Sequence, residues 1–304
     1  MTETVLPSWL PDLDGTITGG ELLRKWPLSE VWRIRLNGAT QRSVIAKRGA
    51  GEEAAEVARY LDLVIPLGLP APRLLAQGGP GVFVLEDLGG NNLEDRPITE
   101  GFEQAVRVLA RMRATSARQL AEDLDLGAGL RRSTADFLAS AARADAAVRA
   151  LRPDLAGALD EPVEALRDRL EQLSGAPETL VHGDFQAKNL LRTSGNEIVP
   201  IDWSHAYVHP HLGDLYLLIR EGLQQDRVDS TLMRALPELF AREAGIDLPT
   251  VNDQLITGGL CWTMDALRWV VETGVPEVSV PLEWMDELVI DLRELAGRHR
   301  MTAT

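Results

Sequence analysis

VHGDFQAKNLL, at residues 181–191, is the most informative part of the chain. It places Asp184 just after a short apolar segment and Asn189 five positions later. A second apolar segment, residues 197–201, ends next to Asp202. Short apolar runs bounded by polar residues indicate strands, so the pattern predicts two short strands that flank a loop. Two acids and an amide then lie at the strand ends.

These three side chains suit phosphoryl transfer. Asp184 can orient an attacking hydroxyl or accept its proton, and Asn189 and Asp202 offer hard oxygen ligands of the kind that Mg²⁺ prefers. Such a reaction also needs a cation for the donor's phosphates. Lys47, at the end of the apolar segment 44–47, is the candidate. An acid must hold that lysine in place, and the helix predicted next offers three, which are Glu52, Glu53 and Glu56.

The first ninety residues contain short predicted strands. Residues 31–36 alternate with period two, Asn37-Gly38 indicates a hairpin turn, and residues 43–47 form the returning strand. Residues 51–63 are expected to form a helix, and residues 81–85 another strand.

Beyond the glycine- and asparagine-rich break at residues 89–92, the pattern becomes helical. The predicted helices span residues 100–123, 134–151, 161–173, 212–225, 230–244, 252–272 and 281–299. We therefore expect an α+β architecture, with a small β-rich lobe followed by a larger helical lobe.

Composition narrows the possible partners and location. The 304 residues carry a formal charge of −15, which disfavours nucleic acid as a partner and slightly favours cationic small molecules. The lone Cys261 lies in an apolar context, which predicts an inert buried thiol and a reducing compartment. We see no signal peptide and no apolar run long enough for a bilayer. The expectation is a cytoplasmic protein without membrane contact, and the oligomeric state stays open.

A phosphatase-like motif occurs near the start of the chain. Residues 12–16 read DLDGT, which matches the nucleophile motif of haloacid-dehalogenase-type phosphatases. Pro7 and Pro11 argue against the buried strand that this motif requires, and the downstream acidic pair is missing. An acidic turn before the first strand is the favoured interpretation.

Together the residues above resemble the aminoglycoside phosphotransferase and choline kinase-like family, which has the protein-kinase-like fold. The matching residues are Lys47, VLEDL at 84–88, HGD at 182–184, Asn189 and IDW at 201–203. The resemblance runs in chain order from about residue 17 to the last predicted helices. It implies a nucleotide-binding lobe at residues 1–88 with a hinge at 84–88. A helical lobe at 89–304 would carry the catalytic loop and the acceptor site.

The resemblance implies roles in the catalytic loop. Asp184 would be the catalytic base or the residue that orients the hydroxyl. Asn189 and Asp202 would ligate Mg²⁺, with Asp202 in the position of the metal-binding aspartate of protein kinases. His182 and Asp214 would be structural.

It also implies a nucleotide site for ATP or GTP. Lys47 would bind the α- and β-phosphates, with Glu56 as its favoured partner and Glu53 as the second choice. The Glu86 carbonyl and the Leu88 N–H would pair with the purine edge.

The chain departs from the family pattern at its phosphate loop, and it differs from protein kinases in two further places. The phosphate loop expected at residues 24–31 contains no glycine, which leaves Ser29 as the small polar group at its tip. Gln186 stands where protein kinases carry a lysine, and Lys188 either supplies that charge or is a solvated loop residue. No A-P-E segment follows Asp202, which favours a small hydroxylated acceptor over a protein.

Two further groups are candidates for acceptor binding. His205, His209 and His211 are interpreted as a histidine-rich loop at the substrate cleft rather than a zinc site. Trp262, Asp265 and Trp269 share one face of a predicted helix, as either a core face with an acid at its edge or an aromatic and acidic wall for the acceptor.

Two functions follow from these expectations. The first is a kinase that moves the γ-phosphoryl group of ATP or GTP to a hydroxyl of an aminoglycoside, amino alcohol or sugar. The alternative is a pseudokinase-like protein that keeps the fold but binds ligands with little or no catalysis. The joint presence of Lys47, Asp184, Asn189 and Asp202 favours the enzyme.

Overall fold

The computed structural model describes residues 6–122, 126 and 129–302 of the chain. The described residues form two compact units. The first unit comes from Met1–Arg96 and Lys188–Ala206, and the second from Pro97–Ala187 and Tyr207–Thr304. The sequence predicted a boundary between two lobes at residue 88, and this boundary remains a prediction. Residues 188–206 belong to the same compact unit as the N-terminal part of the chain.

The first unit is built on a five-stranded antiparallel sheet in the order β1-β2-β3-β5-β4. Its strands are β1 (Thr16–Trp26), β2 (Ser29–Asn37), β3 (Ser43–Gly49), β4 (Leu74–Gln77) and β5 (Val82–Glu86). The predicted strands correspond to β2, β3 and β5. Neither β1 nor β4 was predicted.

Alternation along the strands explains which face of the sheet is covered. Ile34, Val44, Ala46 and Val84 are buried together and form a small apolar core. The hairpin between β2 and β3 begins at Gly38, whose φ of 79° lies in the left-handed region that glycine tolerates. The connection spans residues 38–42, so it is longer than the two-residue turn that Asn37-Gly38 suggested.

The helix predicted at residues 51–63 is not regular. A 3₁₀ turn at Gly51–Ala55 leads into one α-turn, α1 (Glu56–Arg59), and a π-helical turn at Tyr60–Val64 follows. Periodicity identifies an apolar helical face but does not reveal changes in hydrogen-bond spacing, which is why the prediction missed them. The result is that Glu53 and Glu56 are both turned inward and buried.

The second unit is mainly helical. Its helices are α2 (Thr99–Ala121), α3 (Thr134–Leu151), α4 (Asp160–Gln172), α5 (Gly213–Leu223), α6 (Ser230–Ala244), α7 (Leu248–Trp269) and α8 (Glu283–Thr302). The predicted bounds of α3 and α6 match these spans. The helix predicted at residues 252–272 begins four residues earlier than expected, because Asp247 caps α7 by accepting the Thr250 N–H.

One large apolar core unites these helices. It includes α3, α4, α7 and α8, and Cys261 lies fully buried within it. Burial raises the pKa of the Cys261 thiol well above its usual value, so the thiol is inert as predicted. Gly258 of α7 packs directly against the backbone of Gly213 at the start of α5, where a Cβ atom would collide.

Short strands complete both units. In the first, β7 (Leu190–Arg192) pairs with β8 (Ile198–Pro200), and in the second, β6 (Leu180–Val181) pairs with β9 (Tyr207–Val208). The DLDGT motif forms a turn at Gly15 directly before β1, as the acidic-turn interpretation expected. The predicted α+β class, with a small β-rich part and a larger helical part, is confirmed. Within the described ranges, the helices lack the length and apolarity needed to cross a membrane.

Candidate active site

Lys47 lies at the centre of a buried charge cluster in the first unit. Its Nζ donates to Asp202 Oδ1 at 2.8 Å and forms an ion pair with Glu56. Glu53 is more distant, with 3.9 Å between Nζ and Oε2. Strand β3 places the lysine on the sheet, and the inward turn at α1 supplies the glutamate. The structure therefore brings the predicted phosphate-binding lysine into contact with its favoured partner Glu56 and with Asp202, a predicted metal ligand.

The charges in this cluster shift one another's pKa values. Burial favours the neutral form of Lys47, but the carboxylates of Asp202 and Glu56 outweigh it and raise its pKa. Burial also outweighs Lys47 at Glu56, whose pKa rises to about 7. At Asp202 the nearby ammonium outweighs burial and lowers the pKa. At neutral pH the lysine and Asp202 are thus charged, while Glu56 titrates.

Glu56 also reaches the backbone beside Asp202. Its Oε1 accepts the Trp203 N–H at 3.1 Å, so one carboxylate contacts both Lys47 and the residue after Asp202. Asp202 itself has a φ of 65°, a left-handed conformation that non-glycine residues rarely adopt. Backbone strain of this kind concentrates at functional sites, where surrounding contacts maintain it. Here Glu56 supplies such a contact.

Asn189 and Asp202 lie at the same end of a two-stranded antiparallel ladder. The ladder consists of β7 and β8, and the Ile201 N–H extends it by donating to the Asn189 carbonyl at 2.9 Å. The two side chains offer an amide oxygen and a carboxylate, and this donor chemistry fits a hard divalent cation such as Mg²⁺.

A second group of oxygen atoms surrounds Lys47. Among the described residues, carboxylate oxygens from Glu53, Glu56 and Asp202 lie within 4.8 Å of one another, close enough for an ion. Lys47 pairs with all three. We therefore interpret this group as the acidic pocket that holds the lysine.

In the second unit, Asp214 at the start of α5 anchors the HGD loop, residues 182–184, through hydrogen bonds. Its two carboxylate oxygens accept the backbone N–H groups of His182 at 2.7 Å and Gly183 at 2.9 Å. Burial raises the pKa of Asp214, although these bonds oppose the rise. The Asp184 N–H donates to Nδ1 of His182 at 3.3 Å, which agrees with a bracing role for that histidine. The Gln186 amide donates to the Asp184 carboxylate.

The segment predicted as the hinge is anchored through Asp87, a residue for which the sequence predicted no role. Its carboxylate accepts hydrogen bonds from Arg33 Nε and Ser43 Oγ, both at 2.7 Å. Burial alone would raise the pKa of Asp87, but these bonds lower it. The neighbouring Glu86 carboxylate accepts from the backbone and side chain of Arg73. Leu88 is the second residue after β5 and is partly buried.

Ser29 begins β2 immediately after the two-residue turn that replaces the expected phosphate loop. Its side chain is buried, and its Oγ accepts from the indole N–H of Trp26, the residue paired with it across the turn. Ser29 therefore closes the hairpin, rather than standing at the tip of an open loop.

The structure corrects the interpretation of the histidines as one loop at a substrate cleft. His209 and His211 are buried inside the second unit, whereas His205 belongs to the first unit, where its Nε2 lies 3.5 Å from Glu53. His211 accepts the Gly213 N–H at Nδ1 and contacts the Tyr207 hydroxyl through Nε2. Spacing in sequence cannot show that two of the three side chains turn into a core.

These buried histidines predict a pH dependence. Burial, followed by the nearby Arg132 and Arg113, lowers the pKa of His209 to about 3, and burial lowers that of His211 well below its usual value. The unfolded chain then binds more protons below about pH 6.5, so stability falls as the pH drops. In urea titrations from pH 6 to 4, His209 is expected to remove about 1.4 kcal/mol per pH unit from the free energy of unfolding, and His211 acts in the same direction.

The variant His209→Asn tests this assignment. The asparagine oxygen replaces Nδ1 of His209, which accepts the His211 N–H at 3.3 Å, but it does not titrate. We expect the pH slope of stability to lose one proton equivalent. A slope equal to that of the unchanged protein would show that His209 takes up its proton in the folded state.

Asp265 on α7 is already paired within the second unit. Arg132 binds both of its oxygens, at 3.1 Å to Oδ1, and Ser140 donates to Oδ1 at 2.7 Å. The same guanidinium lies 3.9 Å above the centre of the Phe137 ring. Trp262 and Trp269 are partly buried against the core of this unit. This face of α7 thus carries Asp265, whose charge is neutralised by Arg132, beside the half-buried Trp262 and Trp269.

An antiparallel sheet with a buried lysine–glutamate pair, followed by a helical unit that carries the HGD loop, defines a protein-kinase-like fold. Comparison with solved structures agrees. A putative aminoglycoside phosphotransferase from Ralstonia eutropha is 14% identical, with 95% of each chain covered and a TM-score of 0.65. Choline kinase LicA from Streptococcus pneumoniae is 12% identical, with 93% of this chain and 94% of that chain covered and a TM-score of 0.65.

A third structure is a thermostable mutant of aminoglycoside phosphotransferase APH(4)-Ia, in a ternary complex with ADP and hygromycin B. It is 17% identical, with 93% of this chain and 94% of that chain covered and a TM-score of 0.64. Among curated proteins, none matches the chain. The model of the phosphotransferase enzyme family matches residues 30–246. The chain belongs to this family and is a phosphotransferase, which confirms the resemblance found in the sequence.

Proposed function

We propose that the protein is a small-molecule kinase that transfers the γ-phosphoryl group of ATP or GTP to a hydroxyl of a small acceptor. The observation that carries this proposal is the buried contact of Lys47 with both Glu56 and Asp202. An ammonium fixed by two acids is positioned rather than mobile, and phosphoryl transfer depends mainly on positioning and charge.

Each group has a proposed task in the reaction. Lys47, held by Glu56, binds the α- and β-phosphates. Asn189 and Asp202 would hold Mg²⁺, which would neutralise charge on the phosphate oxygens when bound. Asp184 orients the acceptor hydroxyl and takes its proton while the acceptor oxygen bonds to the γ-phosphorus. The bond from that phosphorus to the β–γ bridging oxygen breaks, and the nucleoside diphosphate leaves with its electrons.

The remaining residues concern recognition. We propose that the Glu86 carbonyl and the Leu88 N–H bind the purine edge, because the Asp87 contacts fix the segment that carries both groups. Ser29 is proposed to border the phosphates from the start of β2, next to the β1–β2 turn. These three residues, with Lys47 and Glu56, make up the proposed nucleotide-binding set.

The acceptor is proposed to be a hydroxylated molecule with cationic character, such as an aminoglycoside or amino alcohol, with sugars as the uncharged case. The net charge of −15 supports a cation, and His205, Trp262, Asp265 and Trp269 are the proposed contacts. Since Arg132 already compensates Asp265, a cationic acceptor must displace that guanidinium to use the carboxylate.

A nucleotide-binding protein without turnover is the alternative, and the glycine-free turn at Ser29 is the observation that favours it. Thermal shifts with Mg²⁺ and millimolar ATP or GTP test the first step, because a ligand at 100 times its Kd adds about 2.7 kcal/mol of stability. A shift that disappears with EDTA supports the metal-dependent site. No shift with either nucleotide would contradict the kinase.

A panel of aminoglycosides, amino alcohols and sugars then tests turnover through nucleotide consumption, with the product confirmed by mass spectrometry. Consumption that depends on one acceptor class supports the kinase and identifies the substrate class. Binding of nucleotide without consumption for any acceptor favours the non-catalytic alternative.

A further inference from the structure

Arg24 lies in the same cross-strand row as Lys47. In the sheet, Arg24 is paired with Val31, and Val31 is paired with Lys47. Side chains of directly paired residues project from the same face of a sheet, so the arginine and the lysine share a face. Two strand spacings separate their backbones, a distance of about 10 Å.

A β-bulge gives Arg24 this position. Leu22 is paired with Trp32 and Arg24 with Val31, so β1 uses one residue more than β2 between the two pairs. Without the extra residue, Leu23 would occupy the row of Lys47, and Arg24 would project from the opposite face. The irregularity therefore exchanges a leucine for a cation next to Lys47.

Both cations converge on one carboxylate. Lys47 Nζ lies 2.8 Å from Asp202 Oδ1, and the Arg24 guanidinium lies 3.9 Å from Oδ2. Arg24 also stacks over the ring of Trp26 at 4.8 Å, which restricts its side chain. Because the Arg24 side chain is 44% exposed and its ion pair is long, leaving Asp202 costs it little.

The turn beside Arg24 offers few backbone donors to a phosphate. It consists of Pro27 and Leu28, and proline has no N–H group. The Leu28 carbonyl accepts the Ala50 N–H at 2.8 Å, so the turn is also tied to the segment after β3. Where protein kinases cover the phosphates with a glycine-rich loop, this chain has a short, anchored turn next to a guanidinium.

We propose that Arg24 binds the β- and γ-phosphates of the nucleoside triphosphate, in place of the backbone amides of a glycine-rich loop. The proposal rests on the kinase function proposed above. A guanidinium presents a planar fork that matches two phosphate oxygens, and it keeps its charge at all physiological pH values. The same group stabilises the negative charge that develops on the β–γ bridging oxygen during transfer.

Calorimetric titration with ATP and AMP in the presence of Mg²⁺ tests this assignment. Arg24→Ala is expected to weaken ATP binding by about 10- to 100-fold, the loss typical of a hydrogen bond to a charged group. AMP lacks the β- and γ-phosphates, so its affinity is expected to stay close to that of the unchanged protein. Arg24→Lys keeps the charge but loses the planar fork, so its ATP affinity should lie between those of the unchanged protein and of Arg24→Ala.

The matched control is Arg35→Ala on β2. It removes the same charge from the same sheet, but Arg35 is 59% exposed and pairs with Glu21 at 3.7 Å. It should leave both affinities unchanged. If the alanine variant at Arg24 does not fold, as judged by its thermal unfolding, Arg24→Gln supplies a second neutral variant with a longer polar side chain.

Two results would overturn the inference about Arg24 without contradicting the proposed kinase function. One is an Arg24→Ala protein that binds ATP as tightly as the unchanged protein. The other is an equal loss of ATP and AMP affinity, which would show a general effect on the nucleoside site. If the unchanged protein binds neither ATP nor GTP, the proposed function itself fails.

Discussion

Replacing Asp184 with asparagine is expected to lower kcat by about 100- to 10,000-fold, the range that general acid–base catalysis supplies. Asparagine keeps the size of the side chain and can still accept from Gln186, but it cannot take the proton of the acceptor hydroxyl. Nucleotide affinity should be largely unchanged, because the proposed nucleotide contacts lie elsewhere. The measurements are steady-state rates with the acceptor found by screening and calorimetric titration with ATP.

Asp226→Asn provides the control for this experiment. It makes the same chemical change at an exposed aspartate, and its kcat should equal that of the unchanged protein. An Asp184→Asn protein with full activity would remove Asp184 from the mechanism. A loss of nucleotide binding equal to the loss of turnover would assign Asp184 to binding instead.

Replacing Lys47 with methionine is expected to lower the free energy of unfolding by about 3–5 kcal/mol at neutral pH. Removing the lysine leaves buried carboxylates without their nearest counter-charge. Glu56 is 1% exposed and would lose its cation, whereas Asp202 would keep only the more distant Arg24, at 3.9 Å. The loss should be measured by urea denaturation. Lys25→Met is the control, since that lysine is exposed and its partner Glu30 keeps Arg48 at 3.0 Å.

The same variant carries a pH signature. Glu56 has a pKa of about 7 in the folded protein, above its ordinary value of 4.5, so its ionisation costs stability as the pH rises through this interval. Without Lys47 its pKa rises further, and the interval extends to higher pH. The Lys47→Met loss should therefore be smaller at pH 5.5 than at pH 8.

Adding Glu56→Gln to Lys47→Met should restore part of the lost stability, since the amide needs no counter-charge. A Lys47→Met loss that is independent of pH, together with additive effects of the two substitutions, would show that the pair is not coupled.

The chemistry of the site could be read from the sequence because its parts are local. The acid, amide and second acid lie within residues 184–202, and hydrophobic periodicity around them predicts short strands and long helices. Such patterns were sufficient for the α+β class. They left Glu52, Glu53 and Glu56 as possible partners of Lys47. The family resemblance favoured Glu56 and then Glu53, both of which the structure turns toward Lys47.

What could not be predicted depends on contacts between distant segments. Strand β1 alternates poorly, and its bulge at Leu22–Arg24 appears only when the register with β2 is known. The sequence analysis therefore left Arg24 in the phosphate loop that the family resemblance implied. Likewise, Asp87 acquires its role from Arg33 and Ser43, which lie more than 40 positions earlier in the chain.

The assignment of residues 188–206 to the first unit has a consequence for biosynthesis. The hydrogen bond from Lys47 to Asp202 spans 155 positions, and the hydrogen bond from Trp203 to Glu56 spans 147. As the chain leaves the ribosome, the β-sheet is complete long before these partners exist. Until residue 206 emerges, Glu56 and Lys47 have each other but not Asp202. The first unit therefore cannot mature until translation has passed residue 206, although all five strands of its sheet have been made by residue 86.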